Sequence, residues 1–184
     1  IRLLLLIMIP SWAGEIIRVF SYVLIFAANG AVNIVLQTLG LIDRPIPFLY
    51  TWFSLSLGLV YVTALFMLLP LYAAIEKVPD HVLEAAADLG ATPVQRFFRV
   101  TLPLIRDGMA TGATLVFLIS TGIYTVPLVL AGPGTNMFSQ VISSYFYDAN
   151  LTWPMGAAGS IALFVLALVI AAVLNLSIRA RRPQ

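Results

Sequence analysis

Charged and reactive side chains are few in this chain of 184 residues, and about half of the charges lie in one segment, Glu76–Asp107. Uncharged runs, Pro45–Ile75 and Gly108–Tyr147, flank it. The chain has no cysteine and a single histidine, His81, which excludes disulfides, thiolate metal sites and histidine-cluster metal sites. The apolar runs hold no nucleophile–base pair, so a membrane-embedded enzyme ranks last among the functions considered. A charged segment between apolar runs is suited to binding a partner.

The composition indicates a membrane protein. Hydrophobic residues make up 61% of the chain and charged residues 10%, and the mean hydropathy is +1.00. A soluble domain needs far more charge, and the apolar runs reach the ~20 residues with which a helix crosses a bilayer. We therefore predict an all-α fold, a polytopic transmembrane helical bundle. Its four predicted spans are about Ile1–Ala28, Thr51–Ala74, Gly108–Leu130 and Met155–Ser177.

The first apolar segment admits two interpretations. In the favoured one, Ile1–Ala28 is a single interrupted span, Asn29-Gly30 is a turn, and Ala31–Leu39 is a short amphipathic helix. In the other, Ile1–Ile9 and Val19–Leu39 cross separately, although the first of these is too short to span. The chain opens inside an apolar run, with neither an initiator Met nor a cleavable signal pattern. We therefore expect that an upstream part is missing.

The distribution of Lys and Arg predicts the orientation. The arginines at the C-terminal end are expected in the cytoplasm. Counting spans backwards places Thr135–Pro154 outside, Glu76–Asp107 inside and Gly40–Pro47 outside. Eight of the ten basic residues then fall on the inner side, which supports the count of four spans.

The inner loop carries helix signals in close succession. Asp80 is suited to cap a helix over His81–Leu89, and Gly90 fits the left-handed residue that often ends a helix. Thr92-Pro-Val-Gln95 reads as a capping box with proline at the first helical position. The second helix is predicted to end at Leu102-Pro103, so the loop is a helix, a sharp glycine turn and a helix.

Physical reasoning alone leaves two functions for this loop. It either binds a protein partner through its charges or lies on the inner membrane surface, with Phe97 and Phe98 dipping into lipid. The residues by themselves do not separate these alternatives.

The loop resembles the EAA loop of ABC importer permeases. That motif has the sequence EAA, then a glycine four residues after the second alanine, and further on a hydrophobic-x-Leu-Pro ending. Here Glu84-Ala-Ala86, Gly90 and Val100-Thr-Leu-Pro103 match it. The several matched positions, lying between two predicted spans and on the predicted inner side, are specific to this family.

Other stretches are similar to the spermidine/putrescine-type branch of the family, namely Phe66–Lys77, Trp12 to Arg18, Gly40–Asp43 and Gly132-Pro-Gly134. Three positions depart from the pattern. Ala87 stands where the family often has arginine, and Arg106-Asp107 stands where Pro-Gly is common. The acidic–aromatic pair often found near Thr121–Thr125 is absent. The first two changes leave the loop intact, whereas the third leaves the substrate open.

The resemblance implies the core of a type I ABC importer permease, with residues 1–184 a single transmembrane domain and two further spans before Ile1. It implies three partners: a cytoplasmic ATPase dimer, a second permease subunit and an extracytoplasmic binding protein. It also implies a multi-pass protein of the inner membrane. The chain lacks the G-x-x-x-x-G-K-[ST] phosphate loop, so ATP is expected on the ATPase and no cofactor on this chain.

The resemblance further implies that the first loop helix docks on the ATPase and transmits its closure to the spans. The residues it assigns to coupling are Glu84, Ala85, Ala86, Asp88, Gly90, Leu102 and Pro103. The implied function is ATP-driven inward movement of a small organic solute, for which a polyamine such as spermidine or putrescine is the best guess.

Ionisable residues inside the first span are candidates for the translocation pathway, because such residues are costly in a bilayer. Glu15 and Arg18 stand three residues apart and can pair on a helix, and Tyr22 and Tyr124 complete the candidate set. Alternatively, Glu15 and Arg18 form a structural pair near the outer interface. In a rival function, an ion-coupled secondary transporter, they would be the coupling site. The family usually has a small polar residue at the position of Glu15.

Overall fold

The computed structural model describes residues 14–147 and 152–180. These residues form helices and no strand. The helices are α1 (Glu15–Phe26), α2 (Ala31–Thr38), α3 (Trp52–Glu76), α4 (Asp80–Asp88), α5 (Pro93–Arg96), a π-helical segment (Phe97–Thr101), α6 (Leu102–Gly122), α7 (Thr125–Leu130), α8 (Phe138–Tyr147) and α9 (Trp153–Ala180). Two compact units are present: Ile1–Leu65 with Ser120–Val165, and Phe66–Ile119 with Leu166–Gln184.

Four helical stretches in the described part are long and apolar enough to cross a membrane, which agrees with the predicted number of spans. They are Glu15–Thr38, Trp52–Glu76, Pro93–Gly122 and Trp153–Leu174. The first joins α1 and α2 across a turn at residues 27–30. The predicted turn and short second helix are therefore confirmed, whereas residues 1–13 of the predicted span, with Trp12, lie outside the described residues.

The third span was predicted at residues 108–130, and its C-terminal end is wrong. The helical stretch begins earlier, at Pro93, and it ends with α6 at Gly122, so that two residues separate it from α7. Pro127 explains the break, because proline has no N–H and its ring collides with the carbonyl four residues earlier, that of Ile123. Proline is tolerated in a first helical turn, where Pro127 lies in α7.

The first unit is built around an apolar core in which α1 packs against α7. Its buried members are Val19, Leu55, Val62, Ile123, Val126 and Leu130. Gly58 of α3 allows close approach, since a Cβ added there would lie 2.5 Å from Leu130 Cδ1 and 3.1 Å from Val126 Cγ1. A larger residue at this position would require the buried Leu130 side chain to shift.

The segments predicted outside the membrane also belong to the first unit. Residues 40–47 form an irregular loop, as predicted. The prediction of a polar loop over residues 135–154 is wrong in part, because α8 lies within it and α9 begins before its end. The apolar residues of α8 recur on one face, and Ile142 is buried. The polar and aromatic content of this stretch predicts a loop, whereas the periodicity of its apolar residues indicates the helix.

In the second unit, α3 and α6 pack with little space between them. A Cβ added to Gly108 would collide with Ala74 and would lie 2.8 Å from the carbonyl oxygen of Pro70. A Cβ added to Gly112 would lie 2.7 Å from Met67 Sδ. Two glycines spaced one turn apart thus hold these helices in close contact.

Candidate functional site

Helix α4 carries the Glu84-Ala-Ala86 motif and begins one residue earlier than predicted. Pro79 occupies its cap position, with no side-chain hydrogen bond, so the prediction that Asp80 caps the helix is wrong. The extended conformation of Pro79 (φ −73°, ψ 134°) brings Asp80 into the first helical turn instead. An acidic side chain there still interacts favourably with the positive end of the helix dipole.

One face of α4 is exposed and polar. His81, Glu84, Ala85 and Asp88 follow the i, i+3, i+4, i+7 spacing of a single helix face, and all four are exposed. The other face packs against α5 and the π-helical segment. Its side chains are half-buried: Val82, Leu83 and Ala86.

The turn after α4 has the predicted left-handed glycine. Gly90 has a φ of +80°. Its amide donates to the Ala87 carbonyl (2.8 Å), and the Ala91 amide donates to the Ala86 carbonyl (3.0 Å). These bonds form the Schellman motif, which pairs the last carbonyls of a helix. Ala86 of the motif and its neighbour Ala87 therefore fix the turn with their carbonyl groups as well as favouring the helix.

The predicted capping box is confirmed. Thr92 Oγ1 accepts a hydrogen bond from the Gln95 amide (3.3 Å), and the Thr92 amide donates to Gln95 Oε1 (3.0 Å). Pro93 occupies the first helical position. The start of α5 is thus set locally, one residue after the glycine turn is complete.

Leu102 and Pro103 do not end the second loop helix, contrary to the prediction. The helix continues from α5 through the π-helical segment into α6, where Leu102 and Pro103 are the first two residues. The Leu102 amide donates to the Phe97 carbonyl, five residues earlier. Because the turn before Pro103 is wider than an α-turn, the helix absorbs the proline without breaking.

Two features of the loop surface were not predicted. Leu89, at the end of α4, is 89% exposed. It lies four residues after Ala85 and therefore on the same exposed face, so its spacing could have predicted this exposure. The π-helical segment has no recognised sequence signal other than the proline that follows it. Phe97 and Phe98, which the interfacial alternative places in lipid, are exposed and meet edge to face at 5.2 Å.

The candidate pathway residues Glu15, Arg18 and Tyr22 share one face of α1 by their spacing, and all three are half-buried. Among the described residues no ion pair joins Glu15 to Arg18, so the predicted pairing is wrong there. Within the part of the chain that the structure describes, Glu15 Oε1 and Arg18 Nε are buried atoms without a hydrogen-bond partner. Tyr22 meets Tyr61 edge to face at 5.3 Å. This face of α1 therefore has buried polar atoms that form no hydrogen bond within the described residues.

Tyr124, the fourth candidate, lies on a different element. It is the residue before α7, in the break that follows α6, and it is half-buried. The structure thus brings three of the four candidates to one helix face and leaves Tyr124 at the break.

Comparison with known proteins places the chain among transport proteins. The family described as binding-protein-dependent transport system inner membrane component matches residues 3–183. The spermidine/putrescine transport system permease protein PotB of Haemophilus influenzae is 42% identical over 164 residues, which cover 89% of this chain and 57% of the relative. PotB of Escherichia coli K12 is 37% identical over 163 residues, which cover 89% and 59%. The chain spans somewhat more than half the length of these relatives.

A solved structure shares the fold. The crystal structure of a bacterial ABC transporter involved in the import of the acidic polysaccharide alginate matches with a TM-score of 0.76 and 25% sequence identity. The match covers 95% of this chain and 64% of the other. The predicted all-α permease fold is confirmed by this likeness.

Proposed function

Because the chain belongs to the family of binding-protein-dependent transport system inner membrane components, we propose that it is the permease subunit of an ATP-driven importer. It is a multi-pass protein of the inner membrane. The observation that carries the proposal is α4, which presents the exposed face of Glu84, Ala85 and Asp88 and ends in the Gly90 turn. In this function the face docks on a cytoplasmic ATPase.

The exposed face of α4 is better suited to a protein than to lipid. Carboxylates at positions 84 and 88 gain nothing from contact with an acyl chain, and a membrane surface does not require a defined turn. Leu89, at the edge of the same face, adds an exposed apolar side chain. A charged face with one apolar contact resembles the rim and centre of a protein interface.

The importer we propose has three further components: an ATPase dimer that binds the ATP, a second permease subunit and an extracytoplasmic binding protein. The solute is a small organic molecule, with a polyamine as the best candidate because the PotB relatives carry that substrate in their names. The fold alone does not select it, since the alginate importer shares the fold. The relatives give no support to the ion-coupled alternative.

The test uses the full-length permease assembled with its ATPase. A single cysteine at Ala85 should form a disulfide with a cysteine in the docking cleft of the ATPase. A cysteine at Asn136, on the predicted outer side, is the matched control and should not. Labelling with an impermeant reagent should reach positions 95 and 136 from opposite sides of the membrane. No crosslink at Ala85 in a transporting complex would contradict the docking.

The charge of the face supplies a second test. Glu84→Lys reverses a charge where a like-charge clash can cost several kcal/mol, so ATP-driven uptake should be lost while membrane insertion is kept. Glu84→Gln removes the charge without reversing it and should be milder. Uptake by Glu84→Lys at the level of the parent protein would favour the interfacial alternative.

A further inference from the structure

The π-helical segment Phe97–Thr101 has no part in the docking just described. Its flanking residues, Arg96 and Leu102, both have φ −59° and ψ −44°, so the helix is α-helical on either side. A π-turn holds one residue more than an α-turn. One residue corresponds to a rotation of about 100° and a rise of about 1.5 Å along an α-helix. The segment therefore sets the angle between side chains of α5 and side chains of α6.

Pro103 accounts for this turn only in part. In an α-helix its ring would collide with the Arg99 carbonyl, and a wider turn relieves that collision. Pro70 is also inside a helix, yet α3 accommodates it without a π-turn. The turn before Pro103 packs against α4, whereas the turn before Pro70 packs against α6. Proline and the packing of α4 together hold the turn open.

The segment lies between two better-fixed parts of the second unit. On one side α4 and α5 are fixed by the Schellman turn and by the capping box at Thr92. On the other side Gly108 and Gly112 hold α6 against α3. None of the residues in the segment is buried, so a change in its hydrogen bonds opens no apolar core. Local rearrangement costs least where few buried apolar contacts are lost.

We propose that Phe97–Thr101 is the joint through which displacement of α4 reaches α6, by a shift between π-helical and α-helical hydrogen bonding. The inference rests on the proposed docking of an ATPase on α4. Pushing α4 changes its packing on the segment, and the Leu102 amide exchanges its acceptor from the Phe97 carbonyl to the Phe98 carbonyl. The single extra residue then moves along the helix, and α6 turns relative to α4 without breaking.

The test compares ATP hydrolysis with uptake in the full-length permease, assembled with its ATPase in proteoliposomes. Deletion of Val100 removes the extra residue, so uptake should be lost while the ATPase still binds and hydrolyses ATP. Pro103→Ala removes one of the two groups that hold the turn in place, so the turn can migrate without displacement of α4, and the ATP hydrolysed per solute moved should rise. The matched control is Pro70→Ala, a proline in a helix without a π-turn, which should leave that ratio unchanged.

Hydrogen exchange gives a readout that a merely structural turn would not change. Exchange in peptides covering residues 97–103 should differ between the nucleotide-free and ATP-bound complex, whereas peptides covering residues 108–114 should not. If the deletion variant does not assemble, Pro103→Ala and the exchange measurement decide. An unchanged ratio together with unchanged exchange overturns the joint and leaves docking standing. Failure of the parent permease to bind its ATPase overturns the proposed function instead.

Discussion

The Ser139 hydroxyl donates a 2.7 Å hydrogen bond to the Ile123 carbonyl, the group for which Pro127 provides no donor. Gln140, the next residue, donates from Nε2 to the Pro127 carbonyl (3.0 Å). The first turn of α8 therefore supplies a donor to the Ile123 carbonyl at the break, and it adds a second donor to the Pro127 carbonyl within α7, which also accepts from the Ala131 amide. The break between the helices is stabilised by α8, which follows it in the chain.

Ser139→Ala should destabilise the first unit. The change leaves the buried Ile123 carbonyl unpaired, at a cost of about 1–3 kcal/mol. Thermal unfolding of the full-length permease in detergent measures the effect as a lower midpoint. Ser144→Ala is the control, since Ser144 is exposed and donates to the Val141 carbonyl of its own helix. Equal shifts for both variants would contradict the role given to Ser139.

Asn33→Ala should free the loop over residues 40–47. Asn33 is fully buried, and its amide accepts from the Ile46 N–H (2.8 Å) and donates to the Ile46 carbonyl (3.0 Å) and the Ala27 carbonyl (3.1 Å). Pro45 and Pro47 have no N–H, so Ile46 has the only backbone N–H among residues 45–47. Loss of these bonds should speed proteolysis within the loop.

Asn33→Asp provides a sharper form of this test. It keeps the acceptor for Ile46 but loses both donors and buries a carboxylate, so it should be at least as harmful as alanine. Gln37→Ala, at an exposed position of the same helix, should leave proteolysis unchanged. Loop cleavage at the parent rate in both Asn33 variants would show that the amide does not hold the loop.

Gly90→Val should abolish coupling through the backbone alone. A Cβ at this position meets nothing within 4 Å, so the penalty is the left-handed conformation itself, roughly 1–2 kcal/mol for an L-residue. Gly90→Asn is the matched control, because asparagine tolerates this conformation. Uptake should fall for valine and largely persist for asparagine, with equal amounts of both in the membrane. Equal uptake by the two variants would show that coupling does not depend on the left-handed turn at Gly90.

Arg18→Ala should impair uptake more than assembly, because the residue lies on the α1 face whose buried polar atoms have no hydrogen-bond partner among residues 14–147 and 152–180. The double change Glu15→Gln with Arg18→Gln tests whether the two charges matter only through each other. Transport assays and copurification of the complex give the two readouts. Normal transport by the double variant would remove both residues from the pathway.

Local chemistry made part of the candidate site predictable. The Gly90 turn and the Thr92 capping box depend on residues within a few positions of one another, and both were predicted correctly. The break before Pro127 and the π-turn before Pro103 depend on contacts with Ser139 and α4. A sequence shows where a proline disturbs a helix, but the partner that settles the outcome comes from the tertiary structure. The roles of the coupling and pathway residues remain predictions.

The close contacts at Gly58 and Gly108 also determine where this permease can be made more heat-resistant. Replacing helical glycine by alanine is a general route to a higher melting temperature. It lowers the conformational entropy of the unfolded chain and so stabilises the folded protein by about 0.4–1 kcal/mol. At Gly58 and Gly108 the added methyl group would collide with Leu130 and with Ala74. Gly122, at the end of α6, meets nothing within 4 Å. We therefore expect Gly122→Ala to stabilise the permease for biophysical work, whereas alanine at Gly58 or Gly108 should not.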